Sequence, residues 1–209
     1  MSFVKNIASS VQRLVANAID TIHWRKNKWT PQVRASIQPY ASCFGHSVAW
    51  FLQNLGIKIT PDEVMREVNN NHWYQEAVRV VGTRIANQFR GKLNQLWDVM
   101  KVYTNKKISE SNIQRKITVT FSRNLTDDKI LRSLRVAPVI CSIAPRFKGR
   151  ILGHVVLIVG RKGDSWIVDD PYGDFTKEYP CHLTGGDDIV IKKKKFRKYL
   201  SGYFINAIR

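Results

Sequence analysis

The stretch Gln38–Trp50, QPYASCFGHSVAW, sets the reading of the whole chain. Cys43 opens a run with helical spacing: Phe44, Val48, Phe51 and Leu52, Leu55, then Gly56 as a stop. A cysteine at a helix N-terminus meets unpaired backbone N–H groups and the positive end of the helix dipole. Both favour the thiolate, the form that attacks carbonyl carbon. Gln38, five positions earlier, brings a neutral donor able to stabilise an oxyanion beside the sulfur. The stretch lacks a base with an orienting partner, since His46 has no obvious carboxylate beside it.

The base comes a hundred residues later, in Gly153–Asp174, GHVVLIVGRKGDSWIVDDPYGD. His154 heads a continuous apolar run that predicts a buried strand, and Trp166-Ile167-Val168-Asp169 predicts a second. Arg161 to Ser165, holding Gly163, has the length of a hairpin loop. Centring that loop on Lys162 places His154 opposite Asp170, Val156 opposite Val168 and Ile158 opposite Trp166. Asp169 then points to the other face, and Pro171 ends the strand. A thiolate that attacks, an imidazole that moves the proton and a carboxylate that fixes its tautomer form a working set. A lone histidine at a strand start, or a lone Asp-Pro turn, is usually structural; the combination with Gln-x4-Cys is what argues for catalysis.

These residues resemble the papain-like cysteine peptidases, in particular the group that processes bacteriocin leaders (peptidase family thirty-nine) and its stand-alone relatives, some from phages. Gln38, Cys43, Gly153-His154 and Asp170-Pro171 carry the resemblance, over roughly residues 36–180. It implies a papain-like α+β fold, a helical layer packed on a small antiparallel sheet. It also implies hydrolysis through a thioester, with Cys43 as nucleophile, His154 as base then acid, Asp170 as its orienter and Gln38 at the oxyanion. Relatives usually have glycine directly after the cysteine, whereas here Phe44 follows and Gly45 comes next. Transporter-linked members add membrane spans and an ATPase; this sequence has no span-length apolar run and no phosphate-binding GxxxxGK[ST] loop, so export-coupled processing is not expected. Phe44, His46 and Gly153 are expected to line the substrate.

With 209 residues, 44% of them hydrophobic, the chain suits one compact domain with an appended segment. Residues 1–35 read as that segment: Phe3, Val4, Ile7, Val11, Leu14, Val15, Ala18, Ile19 and Ile22 recur at helical spacing, and six Lys/Arg stand against one Asp. A cationic amphipathic helix lies on anionic membranes or packs on its own domain. Residues 36–209 form the catalytic domain. Within it, Thr60-Pro61-Asp62-Glu63 is a capping-box helix start, Tyr74 to Tyr103 is helical with a break near Gly82 or Gly91, and Lys116–Phe121 is a strand. A capped helix at Thr126 and an apolar strand over 138–143 complete the pass.

The net charge of +18 implies a polyanionic partner or setting: cell wall, lipopolysaccharide, anionic lipid or nucleic acid. Lys192–Lys198 holds six basic residues in seven, and Arg146, Lys148, Arg150, Arg161 and Lys162 flank the histidine strand, favouring acidic substrates. Basicity, the lack of a signal peptide and the amphipathic start fit a phage-type lysin that cuts peptidoglycan cross-peptides. A protein-processing protease, an acyltransferase using the same triad, and a nucleic-acid-binding protein are the alternatives. Cys43, Cys141 and Cys181 form neither a disulfide framework nor a CxxC site, and no metal or cofactor is expected. Localisation stays open beyond cytoplasmic synthesis.

Overall fold

The computed structural model describes residues 21–24, 42–69, 93–113, 116–147, 150–151, 153–177 and 186–208. Its centre is β6 (His154–Lys162), apolar along most of its length because both its faces are buried. Val155, Leu157 and Val159 point into one core with Phe44, Val48, Phe51 and Leu52 of α1 (Ser42–Asn54) and Trp97 and Met100 of α3 (Leu93–Ser109). Val156 and Ile158 point into a second core, with Ile130 and Leu134 of α4 (Asp127–Leu134), Phe175 and Phe196. The period-two alternation of a strand thus feeds two helical layers.

Around β6 the sheet has seven strands in the order β2 (Thr118–Ser122), β9 (Leu200–Ile208), β3 (Val139–Ile143), β6, β7 (Ser165–Asp169), β8 (Ile189–Lys192), with β1 (Thr21–His23) also on β6. All its pairings are antiparallel. A ribbon of β4 (Arg146–Phe147) and β5 (Arg150–Ile151) stands apart, and α5 (Lys193–Phe196) links β8 towards β9. The α+β class holds, and the sheet is larger than expected and covered on both faces.

Local signals fold as written. Glu63 Oε2 accepts from Thr60 N at 2.6 Å and Thr60 Oγ1 accepts from Glu63 N at 3.2 Å, the reciprocal box that starts α2 (Pro61–Asn69). The backbone hydrogen bond from Thr60 holds the Glu63 carboxyl below its usual range. Thr126 caps α4 through Lys129 N. Gly45 permits α1 and α2 to cross closely, because a Cβ there would overlap the Met65 side chain.

Two expectations change. Ile22, read as part of an amphipathic helix, lies in strand β1; residues 1–20 and 25–35 lie outside the described residues, as do 74–92 of the expected long helix. The β6–β7 register also differs. The turn holds two residues, Gly163 and Asp164, not five, with Gly163 at φ 56 as the first position of a type II′ turn requires. Lys162 pairs with Ser165 and Gly160 with Ile167; past a bulge, Ile158 pairs with Val168 and Leu157 with Asp169.

Candidate active site

Cys43 is the second residue of α1, 7% exposed, in the turn whose N–H groups have no intrahelical partner. The helix is fastened to the sheet beside the histidine: Ser47 Oγ donates to the Val155 carbonyl at 3.3 Å. His154, first residue of β6, pairs with Ile143 of β3 and is almost wholly buried. Its Nε2 lies 2.6 Å from Asp170 Oδ1, which leaves Nδ1 as the ring nitrogen to face the Cys43 side chain that also acts on the imidazole. Burial pulls the His154 pKa down, but the charge and hydrogen bond of Asp170, then the contact with Cys43, outweigh it and push it up to about 10.

Asp170 is fully buried and held three ways. Its N–H donates to the Gly186 carbonyl at 2.7 Å, and its Oδ1 accepts from Tyr172 N at 2.7 Å as well as facing His154. The Tyr172 ring meets the imidazole edge-on, 6.1 Å between centroids. Which face Asp170 takes is decided by the bulge. If the pairing at the hairpin tip ran on unbroken, Asp170 would stand opposite Leu157 and share its face, away from His154. Val159 is the extra residue; it moves Asp169 opposite Leu157 and turns Asp170 to the histidine side. β1 supports this bulge. Trp24 N donates to the Val159 carbonyl at 2.8 Å, and Gly160 packs so closely on Ile22 that a Cβ would overlap its carbonyl oxygen.

Of the residues singled out in the sequence, Cys43, His154 and Asp170 therefore come together. Phe44 is 2% exposed and packs edge-on against Trp97 in the core, 4.9 Å between centroids. His46 is buried against the Trp50 ring, Gly153 is exposed before the histidine, and Gln38 lies outside the described residues. Cys141 sits fully buried in β3, where burial pushes its thiol pKa up. Arg161 and Lys162 lie at the far end of nine-residue β6, about 25 Å of strand from His154, rather than at the site. Tyr172, Ser47 and Gly186 were not legible as site residues. The Asp-x-x turn signal at Asp170 was the one available hint, since its carboxylate accepts from the N–H two residues on.

A thiol, an imidazole and a carboxylate in hydrogen-bonded sequence can pass a proton from sulfur to ring while the carboxylate balances the imidazolium charge. A family model described as the Peptidase C39-like family matches residues 20–198. Among solved structures, one from Bacillus anthracis, provisionally described as a C39-like peptidase, aligns with a TM-score of 0.52 at 14% identity. It covers 90% of this chain and 98% of that one, which shows a shared fold. The peptidase domain of Streptococcus ComA, a bifunctional ABC transporter of a quorum-sensing pathway, aligns at TM-score 0.46 and 14% identity, covering 86% and 96%. A double-glycine-motif protease from an AMS/PCAT transporter, in complex with a leader peptide, aligns at 0.44 and 12%, covering 87% and 94%. No curated protein sequence matches the chain.

Proposed function

Because the chain belongs to the peptidase C39-like family and is a cysteine peptidase, we propose that Cys43, His154 and Asp170 are the groups that carry its reaction. The Cys43 thiolate attacks the scissile carbonyl carbon, and the His154 imidazolium gives its proton to the departing amine, leaving a thioester on Cys43. Water then attacks the thioester as His154 takes its proton; the acid leaves and the thiol is restored. Asp170 holds the tautomer that puts Nδ1 toward sulfur. Gln38 and the Cys43 backbone N–H receive the oxyanion in this reading. One observation supports it above others: the buried His154 ring lies 2.6 Å from the buried Asp170 carboxylate and is acted on by the Cys43 side chain as well.

The substrate is a peptide, and we favour the cross-peptides of peptidoglycan. The net charge of +18 and the exposed Lys192, Lys194, Lys195 and Lys198 suit an enzyme that works on an anionic wall. Among the described residues no helix is long and apolar enough to cross a membrane.

The testing experiment is iodoacetamide labelling of Cys43 across pH, read by peptide mass to separate it from Cys141 and Cys181. Fast labelling at about pH 6, slowed in His154→Ala, is the expected result. A profile centred near the ordinary thiol value of about 8.5, indifferent to His154, overturns the assignment. Cleavage of purified wall fragments, lost in Cys43→Ala, tests the substrate; cleavage confined to unrelated linear peptides overturns it.

A further inference from the structure

A second histidine–carboxylate contact lies behind Asp170. His23, the last residue of β1, places Nε2 2.7 Å from Asp188 Oδ1, joining points 165 residues apart in sequence. It stands opposite Gly160 in the ladder, where the missing side chain lets β1 approach. Asp188 in turn donates its N–H to Asp169 Oδ1 at 3.0 Å, and Gly186 accepts the Asp170 N–H at 2.7 Å. The segment 186–188 therefore grips both members of the Asp169-Asp170 pair, one by its side chain and the other by its backbone.

That segment is not in a relaxed state by itself. Asp188 has φ 50, in the left-handed region that side-chain-bearing residues rarely adopt. Carboxylate oxygens of Asp169, Asp187 and Asp188 also come within 4.8 Å of one another, so like charges push the segment from the strand end. Contact with the His23 imidazole opposes both tendencies.

We infer that His23 and Asp188 are positioning residues for the reaction: they clamp 186–188, and 186–188 fixes the orientation of Asp170 toward His154. The inference rests on the proposed role of Asp170. Neither residue touches the thiol; each acts through the backbone that holds the carboxylate.

Asp188→Gly separates clamp from strain, because glycine accepts φ 50 while the carboxylate is lost. Asp188→Asn keeps an acceptor for His23 and tolerates the same φ. The readout is the rate of Cys43 labelling by iodoacetamide at about pH 6.5 divided by that at about pH 9.5, where an ordinary thiolate also reacts. A merely structural role does not move this ratio. Asp188→Gly and His23→Ala are expected to lower it at least about threefold, as coupled members of one network do. Asp188→Asn is expected to restore it, and in an Asp170→Ala background neither change is expected to act further. An unchanged ratio in Asp188→Gly, with melting temperature near that of the parent, overturns the inference; so does a full additional loss in Asp170→Ala. A parent ratio indifferent to His154→Ala overturns the catalytic reading and this inference with it.

Discussion

Asp170 Oδ1 lies 2.6 Å from His154 Nε2, although the ladder does not set the two residues opposite each other: Asp169 stands opposite Leu157, so Asp170 reaches the histidine diagonally. A diagonal contact depends on aim more than a direct one does. Here the aim comes from the Tyr172 N–H on the same oxygen and from Gly186 on the Asp170 backbone.

Asp170→Asn retains an oxygen for His154 and Tyr172 and loses the charge, while Asp170→Ala loses both. Turnover is expected to fall in the order parent, Asn, Ala. The Ala variant should lose about a hundredfold or more, the range of a general acid–base contribution. Steady-state kinetics on any cleaved peptide checks this. An Asn variant worse than Ala would contradict an orienting role.

The raised pKa of His154 fixes the direction of two pH effects. With the folded value at about 10 and the ordinary value at 6.5, the imidazolium and its partners contribute stability that is fully present below 6.5. That contribution is lost as pH rises through about 10. Melting temperature is therefore expected to fall between neutral pH and about pH 10 more steeply in the parent than in His154→Gln. Turnover should fade over the alkaline end of the same window, since the leaving amine needs a proton from His154. In Asp170→Asn that alkaline limb should move down toward the value of an unpaired histidine.

Two glycines test how packing sets the site. At Gly160 an added Cβ would overlap the Ile22 carbonyl oxygen, a backbone atom that cannot turn aside. At Gly45 it would meet the Met65 side chain, which can. Gly160→Ala is expected to cost about 1–3 kcal/mol in urea denaturation, and Gly45→Ala to fall at or below the lower end of that range. Gly160→Ala should also cost activity beyond its stability loss, because β1 supports the bulge that turns Asp170 toward His154. Equal activity per folded molecule in the two variants would show that the bulge survives without close β1 packing.

Much of the architecture was legible in residue types. The unbroken apolar run from Val155 to Val159 marked a strand buried on both faces, and Thr60 with Glu63 and Thr126 with Lys129 marked helix starts by local hydrogen bonding alone. Cys43, His154 and Asp170 were legible because a thiol at a helix start, an imidazole at a strand start and a carboxylate after a hairpin are chemically complementary. Their geometry was not. A two-residue turn and one bulged residue shift the ladder together by an even count, so the face survived while the opposite partner changed. β1 was misread because Ile22 continues a helical period, whereas its backbone groups find partners on the open side of β6 beyond β3. No local pattern announces such a long-range pairing. Ser47 on Val155, and His23 on Asp188, are of the same kind.

The lysine run makes the last test. Lys192 lies in the same row as Ser165 and Lys162 at the hairpin end of the sheet, whereas Leu200 shares a row with Ile143 and His154 at the other. The run 192–198 therefore leads along the sheet from its tip toward the candidate site. Arg197 is engaged with Asp127 at 2.6 Å, while Lys194, Lys195 and Lys198 are exposed. Replacing these three by serine should change stability by no more than about 0.5 kcal/mol each, as exposed substitutions do. Cosedimentation with purified anionic cell wall should weaken, and the loss of binding with added salt should become shallower, because fewer charges are shared with the polymer. Cleavage of a short uncharged peptide should be unaffected, since the lysines lie outside the Cys43–His154–Asp170 contacts. Equal cosedimentation of parent and variant at every salt concentration would remove the wall from the function of this run, and slower cleavage of the uncharged peptide would place these lysines at the reaction itself.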